Sequence, residues 1–207
     1  MDEPSEWVSS LVVARKANGS LRVCLDPKDL NRATKRPHHR LITPEEVTHQ
    51  LSGSTMFSKL DALSGYWCVV LDEESSKATT FNTPFGRYRF LRMPFGWCGS
   101  QDVFQKKMDE ILNGLSGVIS IADDICVHGK DQFEHDHRLH QLMMRARERG
   151  LVLNFSKCHV GLKEVTFFGH RYHSLGVSPD PSEVVAVQSL TAPTTAQELR
   201  SFLVLCT

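Results

Sequence analysis

The stretch GVISIADDICVHG, Gly117 to Gly129, sets two adjacent aspartates between two β-branched apolar runs. Val118–Ile121 and Ile125–Val127 predict buried strands, which puts Asp123 and Asp124 at the tip of a hairpin. Aspartate is a good turn residue because its side chain bonds nearby backbone amides. Taken alone, the pair is a turn. Adjacent carboxylates also repel and raise each other's proton affinity unless a cation lies between them. A hard divalent cation is the natural occupant, and Mg²⁺ takes one or two carboxylates together with substrate phosphates. Asp61 ends another apolar strand earlier in the chain. If those strands are neighbours in one sheet, three carboxylates converge at its edge. Such a cluster can hold two ions about 4 Å apart, the arrangement for in-line phosphoryl transfer. Three aspartates by themselves leave turn and metal site both open, and their flanks decide.

The rest of the chain sets the bounds. Its 207 residues are 41% hydrophobic and 23% charged, ordinary composition for one sizeable globular domain or two small ones. No apolar run reaches the roughly 18 residues of a membrane span. The acidic, polar start MDEPSEWVSS is unlike a secretory signal, so an intracellular protein is the default expectation. Cys24, Cys68, Cys98, Cys126, Cys158 and Cys206 are scattered without a C-x-x-C pair, which predicts buried free thiols rather than disulfides or zinc ligands. Net charge is zero, with 24 basic and 24 acidic residues. That balance does not advertise a nucleic-acid binder, although the distribution of charge matters more than its sum.

SLVVARKANGSLRVCLD reads as two strands around Asn18-Gly19, the dipeptide that fits a tight hairpin turn. In DPKDLN, Asp26 is the expected N-cap and Pro27 the first helical residue. In TPEEVTHQLSG, Thr43, Pro44 and Glu46 predict a capping box, with Gly53 as the stop. FSKLD reads as a strand and ATTFNTPFGRYRFLRM as a hairpin turning near Gly86. Val103, Phe104, Met108, Ile111, Leu112 and Leu115 form a helical stripe. DQFEHDHRLHQLMMRARERG predicts an amphipathic helix closed by Gly150. Its His135, His137 and His140 are expected on a solvated helix face rather than around a metal. LVLNF, EVTFFGH and RYHSLGV predict short strands, and DPSEVVAVQSL and TTAQELRSFLVL two helices. The mixed order predicts an α+β fold. The chain stops at Thr207 within an apolar helical run, so we expect a fragment of something longer.

Five segments, in order, resemble the reverse transcriptase family. They are FSKLDALSGYW, TTFNTPFGRYRFLRMPFG followed by DVFQKKMDEIL, IADDICVHG, GLVLNFSKC and VTFFGHRYHSLGV. The likeness is to the gypsy-like (Metaviridae) LTR retrotransposons and runs from Trp7 to the end. It implies a right-handed polymerase, with fingers at residues 1–36 and 69–100 and a palm at 37–68 and 101–173. The palm would hold an antiparallel sheet with packed helices. Residues 174–207 would be the first thumb or connection helices, the thumb being largely absent. The implied activity is RNA-directed DNA polymerisation, with nucleotidyl transfer from a dNTP to a primer 3′ hydroxyl on an RNA or DNA template. The implied cofactor is Mg²⁺, two ions, with Mn²⁺ as a substitute. Template-primer, dNTP and the remainder of a pol polyprotein (thumb, RNase H, integrase) are the implied partners, with no membrane. The implied location is cytoplasmic, in retroelement particles, or nuclear.

Carried across position by position, the resemblance makes Asp61, Asp123 and Asp124 the catalytic metal ligands. Lys157 falls at the family's basic residue behind the metals, where it would protonate the departing pyrophosphate. Lys16 and Arg22 fall where the finger hairpin grips phosphates and stacks on the base, a task that suits a planar guanidinium. Ser64 and Gly65 would offer backbone amides to the triphosphate. Tyr66 falls beneath the incoming sugar, where a ring leaves no room for a ribose hydroxyl. Phe95 and Gly96 would lie against base and sugar, and Phe168, Gly169 and His170 match the hairpin that holds the primer end. From the residues alone, Tyr66 is equally a core ring, Arg22 a solvated strand charge and Lys157 a surface lysine.

Ile121 replaces the family's usual aromatic before the aspartate pair, Leu63 stands where a basic or polar residue is frequent, and WCGSQD lacks the usual Ala-Pro. None of these removes a metal ligand. They leave an alternative, a catalytically inactive retroelement remnant that keeps the fold and at most binds nucleic acid. Another palm enzyme, such as a nucleotidyl cyclase, would share the aspartates but lack the finger hairpin and the PFGRYRFLRMPFGW pocket.

Overall fold

Four strands, in the spatial order Val118–Ile121, Asp124–Gly129, Met56–Asp61 and His159–Leu162, form an antiparallel sheet that carries the aspartates. The computed structural model describes residues 5–15, 19–63, 65–188, 193 and 195–205. The chain begins with a hairpin of β1 (Ser10–Arg15) and β2 (Leu21–Asp26). Its expected turn includes Asn18, which lies outside the described residues. α1 (Lys28–Ala33) follows without the expected cap: Asp26 is the last residue of β2 and pairs with Lys28 (3.4 Å), and Pro27 takes the cap position. α2 (Pro44–Leu51) has its capping box, with Glu46 N–H donating to Thr43 Oγ1 (3.3 Å) and Thr43 N–H to Glu46 Oε2 (3.0 Å).

β3 (Met56–Asp61) leads through a short 3₁₀ turn, Gly65–Cys68, to α3 (Glu73–Ala78), which Asp72 caps. A small hairpin of β4 (Phe81–Thr83) and β5 (Gly86–Tyr88) is tied to the first one, since Asn82 N–H donates to Ser9 O (3.3 Å). Next come α4 (Ser100–Leu112), β6 (Val118–Ile121), β7 (Asp124–Gly129) and α5 (Gln132–Arg149). Gly150 ends α5 in the left-handed conformation, φ +68°. β8 (His159–Leu162), β9 (Glu164–Phe167), β10 (His170–His173) and β11 (Gly176–Pro179) precede α6 (Pro181–Gln188) and α7 (Ala196–Leu205). β9, β10 and β11 form a separate three-stranded sheet.

The central sheet is covered on both sides, and that is why Ile125–Val127 of β7 are apolar without alternation. On one side, Leu60, Ile125 and Val127 pack with Phe104 and Met108 of α4 and Leu142 and Ala146 of α5. On the other, Phe57, Ile119 and Cys126 pack with Val47 and Leu51 of α2 and with Val165, Phe167 and Tyr172. Each large side chain buried in these layers stabilises the fold by roughly 1.5–3 kcal/mol.

Three expectations are corrected. LVLNF is not a strand. Asn154 N–H donates to Asp61 O (2.8 Å) and Leu63 N–H to Val152 O (2.8 Å), which ties the segment to the end of β3 and folds Phe155–Lys157 into a 3₁₀ turn. The edge strand is β8 instead. His135 is not solvated but fully buried, its Nε2 hydrogen-bonded to Ser58 Oγ and its Nδ1 to Asp136 Oδ1, both at 2.8 Å. The amphipathic pattern missed it because a histidine with both nitrogens satisfied can sit in a core. His137 and His140 are exposed as expected. Among the described cysteines, all free, only Cys126 is fully buried and Cys68 is exposed.

Candidate active site

The antiparallel register of β3 and β7 sets Asp61 opposite Asp124. A two-residue turn, Ala122-Asp123, joins β6 to β7, with Ile121 opposite Asp124. Ala122 has φ +51°, a conformation that costs a non-glycine residue about 1 kcal/mol. Ala62 N–H donates to Asp123 O (2.7 Å), which fastens the turn to the end of β3. Asp61, Asp123 and Asp124 therefore lie together at one end of the sheet.

Their surroundings differ. Asp61 Oδ2 accepts from Lys157 Nζ at 2.9 Å. Asp124 Oδ2 pairs with Lys59 Nζ at 3.1 Å, and Lys59 also donates to Thr166 O (3.4 Å) on β9. Asp123 Oδ1 is buried and, among the described residues, has no hydrogen-bond partner. Burial pushes the Asp123 carboxyl above the usual carboxylate range, and the charges of Asp61 and Asp124 push it further, against the pull of Lys157 and Arg22. The hydrogen bond and charge of Asp61 in turn raise the Lys157 ammonium. Gly65 makes room for this carboxylate. A Cβ there would collide with Asp123 Oδ1 and stand 2.6 Å from Phe104 Cζ.

Beside the carboxylates runs a line of rings. The Arg22 guanidinium lies 5.1 Å from the centre of the Phe95 ring, and Phe95 lies 4.9 Å from Tyr66. Tyr66 meets Phe104 edge-on at 5.6 Å. Burial, with the Asp123 charge added, raises the Tyr66 phenol above its ordinary range. Gly96, at φ +104°, allows the MPFGW loop to dock on β2, because a Cβ there would run into the Leu25 carbonyl oxygen. Leu25 N–H donates to Phe95 O at 2.8 Å across the same contact. Thus Arg22, Gly65, Tyr66, Phe95 and Asp123 are gathered on one surface, and Gly96 lies against β2.

Phe168, Gly169 and His170 are at the β9–β10 turn, with Phe168 at φ +50°, Gly169 at φ +75° and His170 Nδ1 donating to Phe168 O (3.0 Å). The Lys59–Thr166 bond links their hairpin to the carboxylates. Lys16 and Ser64 lie outside the described residues.

The model of the family described as reverse transcriptase (RNA-dependent DNA polymerase) matches residues 14–172. The chain belongs to the reverse transcriptase family. An uncharacterized protein of Caenorhabditis elegans is 38% identical over 202 residues, 96% of this chain and 16% of that protein. The retrovirus-related Pol polyprotein from transposon 297 of Drosophila melanogaster is 32% identical over 198 residues, 93% of this chain and 19% of that protein. The chain thus spans less than a fifth of the length of these relatives. Among solved structures, a foamy viral protease-reverse transcriptase in complex with double-stranded DNA superposes with a TM-score of 0.90 at 22% identity. That match covers 99% of this chain and 36% of the other. The α+β fold is therefore the fingers and palm of a reverse transcriptase.

Reverse transcriptases use divalent metal ions, and the donors here can be tested for fit. Three carboxylates offer hard oxygens, and the orphaned Asp123 Oδ1 is a buried acceptor without a hydrogen-bond partner among the described residues. The donor set suits a hard divalent cation. As the side chains stand, however, no group of three His, Cys, Asp or Glu among the described residues is disposed to hold one. Asp61 and Asp124 each turn to a lysine instead.

Two residues beside the carboxylates were not singled out from the sequence. Lys59 shares a strand face with Asp61, and the alternation of β3 could have shown it. Gln105 sits within the apolar stripe of α4, and a lone polar residue on a buried stripe was the available signal.

Proposed function

We propose that this chain is the fingers and palm of an RNA-directed DNA polymerase, extending a primer on an RNA or DNA template. The observation that carries the reading is the meeting of Asp61, Asp123 and Asp124 at one sheet edge beside the Arg22–Phe95–Tyr66 surface. In the reaction, the primer 3′ oxygen bonds to the α-phosphorus of a dNTP, the bond to the β-phosphate breaks, and pyrophosphate leaves as the hydroxyl proton is released. Asp61, Asp123 and Asp124 would hold two Mg²⁺ ions. Ions so held would activate the attacking hydroxyl and neutralise the phosphates.

The chain's own residues do the positioning. Arg22, ordered over Phe95, presents a guanidinium to base and phosphates. Tyr66, fixed between Phe95 and Phe104, is the ring that would exclude a ribose hydroxyl. Lys157, an ammonium next to Asp61, is the residue that would protonate the leaving pyrophosphate, once its hold on Asp61, which strengthens its grip on the proton, is released. The Phe168–His170 turn would seat the primer end. The fingers are assigned to residues 1–36 and 69–100, and the palm to 37–68 and 101–173.

A primer-extension assay with Mg²⁺, on this chain and on a version joined to its thumb, tests the reading. We expect extension that Asp123→Asn and Asp61→Asn each abolish. A folded protein whose extension equals that of its Asp123→Asn variant would leave the inactive-remnant alternative standing.

A further inference from the structure

Gln105 is the one polar side chain on the α4 stripe that reaches the Asp123 turn. It is 4% exposed. Its Oε1 accepts from Ala122 N–H at 2.9 Å, and its Nε2 donates to Ser120 O at 3.1 Å and lies 3.3 Å from Ser120 Oγ. Nε2 also donates to Asp109 Oδ1 at 2.9 Å. The orientation of the amide is fixed by this network, because a backbone N–H only donates and a backbone carbonyl only accepts. Asp109 is held from its other oxygen by His39 Nε2.

Ala122 is where such a clamp is needed. It carries φ +51° at the first position of a two-residue turn that normally takes Gly, Asn or Asp. The next residue is Asp123, whose buried Oδ1 makes no hydrogen bond among the described residues to hold it. Ala122 itself, a non-glycine residue at positive φ, disfavours the observed conformation. The buried amide from α4 favours it.

From this geometry we infer that Gln105 is a positioning residue: it holds the Ala122 turn in its left-handed form and thereby aims the Asp123 carboxylate. The inference rests on the polymerase reading for its purpose, but the clamp itself is a property of the fold. It acts through the turn and touches no substrate.

The test uses Gln105→Met, which keeps length and apolar packing while removing both hydrogen-bonding functions. It also uses the Gln105→Met/Ala122→Gly pair, in which glycine adopts positive φ without strain. Three quantities are read on the full chain: amide exchange at Ala122, the ¹³C carboxyl resonance of Asp123, and Mn²⁺ affinity by electron paramagnetic resonance. Gln105→Met should speed Ala122 exchange and weaken Mn²⁺ binding by about tenfold, the lower end of what loss of an orienting outer partner costs a metal site. It should also displace the Asp123 resonance. The added glycine should return the resonance and most of the affinity, a rescue that loss of packing alone would not show. An Asp123 resonance unmoved by Gln105→Met, or one that glycine does not restore, overturns the inference. A wild-type chain that binds no Mn²⁺ overturns the polymerase reading instead, and the Asp123 resonance then still decides whether Gln105 positions it.

Discussion

Asp61 and Asp124 face each other across the β3–β7 pair, yet their carboxylates turn to different lysines, Lys157 at 2.9 Å and Lys59 at 3.1 Å. Two cations of the protein's own thus pair with two members of a cluster whose third, Asp123, has an Oδ1 with no hydrogen-bond partner among the described residues. The two pairs are unequal. The Lys157 side chain is 64% exposed, so its ion pair is screened and contributes no more than about 1 kcal/mol. The Lys59 side chain is only 30% exposed and also bonds the Thr166 carbonyl.

Lys59→Met should therefore destabilise the protein more than Lys157→Met. It should also make the protein more responsive to added cation, because Mg²⁺ then reaches Asp124 without displacing an ammonium. Thermal unfolding with and without millimolar Mg²⁺ checks this. The expected order of the Mg²⁺-induced rise in Tm is Lys59→Met above wild type, and equal shifts in the two would contradict it.

Asp123→Asn should separate activity from stability. The folded Asp123 has a raised pKa, so the folded state holds its proton more tightly than the unfolded state does. Its stabilising effect is therefore present at low pH and is lost as pH rises through the folded pKa. At neutral pH the ionised carboxylate is a burden that asparagine lacks. Without divalent cation we expect Asp123→Asn to be more stable than wild type at pH 7, with a higher Tm. The gain should shrink toward zero below the ordinary aspartate pKa. Primer extension should be lost at every pH. A variant less stable than wild type at pH 7 would mean that the carboxylate is compensated after all.

Gly65→Ala should disable the site while leaving every carboxylate in place. The added methyl would meet Asp123 Oδ1 and the Phe104 ring, and Phe104 is anchored in the core against Tyr66. Overpacking of this kind costs about 1–3 kcal/mol. Either the Asp123 turn or the Phe104 ring must give way. We expect a Tm lower by several degrees and the loss of primer extension. Full extension by Gly65→Ala would show that the turn is free to move.

Much of this was legible in the sequence, for physical reasons that can be named. Val118–Ile121 and Ile125–Val127 carry their own strand signal, and the capping box of Thr43 and Glu46 is a local hydrogen-bond pattern that needs no tertiary contact. The facing of Asp61 and Asp124 was legible only through the family resemblance, because register between distant strands is not written in either strand. Lys59, Gln105 and His135 were missed for a related reason. Each is polar, each is buried or half-buried, and each is tolerated only because a partner far along the chain satisfies it: Asp124, Ala122 and Ser58. LVLNF failed in the opposite direction, since its alternating pattern suits a strand but its backbone is captured by Asp61 and Leu63.

His128 gives the fold a loss of stability in acid that is independent of the carboxylates. Its ring is buried beside Ser54, whose Oγ lies 2.8 Å from Nδ1, and Arg138 donates to its carbonyl oxygen at 2.7 Å. Burial, with the Arg138 charge added, pushes its pKa down to about 4. The folded state thus prefers the neutral ring, while the unfolded chain takes up a proton at the ordinary histidine pKa of about 6.5. The stabilisation is complete above that value and is lost as pH falls toward the folded pKa, after which both states are protonated. Between pH 6 and 4.5 the wild-type protein should therefore lose up to about 1.4 kcal/mol more per pH unit than a variant without this group. His128→Asn keeps a polar atom near Ser54 and does not titrate. Urea unfolding of both proteins at pH 7.5, 6 and 4.5 measures the difference. Parallel declines would show that His128 is protonated in the folded state as readily as in the unfolded one, and its burial would then need water or an acidic neighbour to account for it.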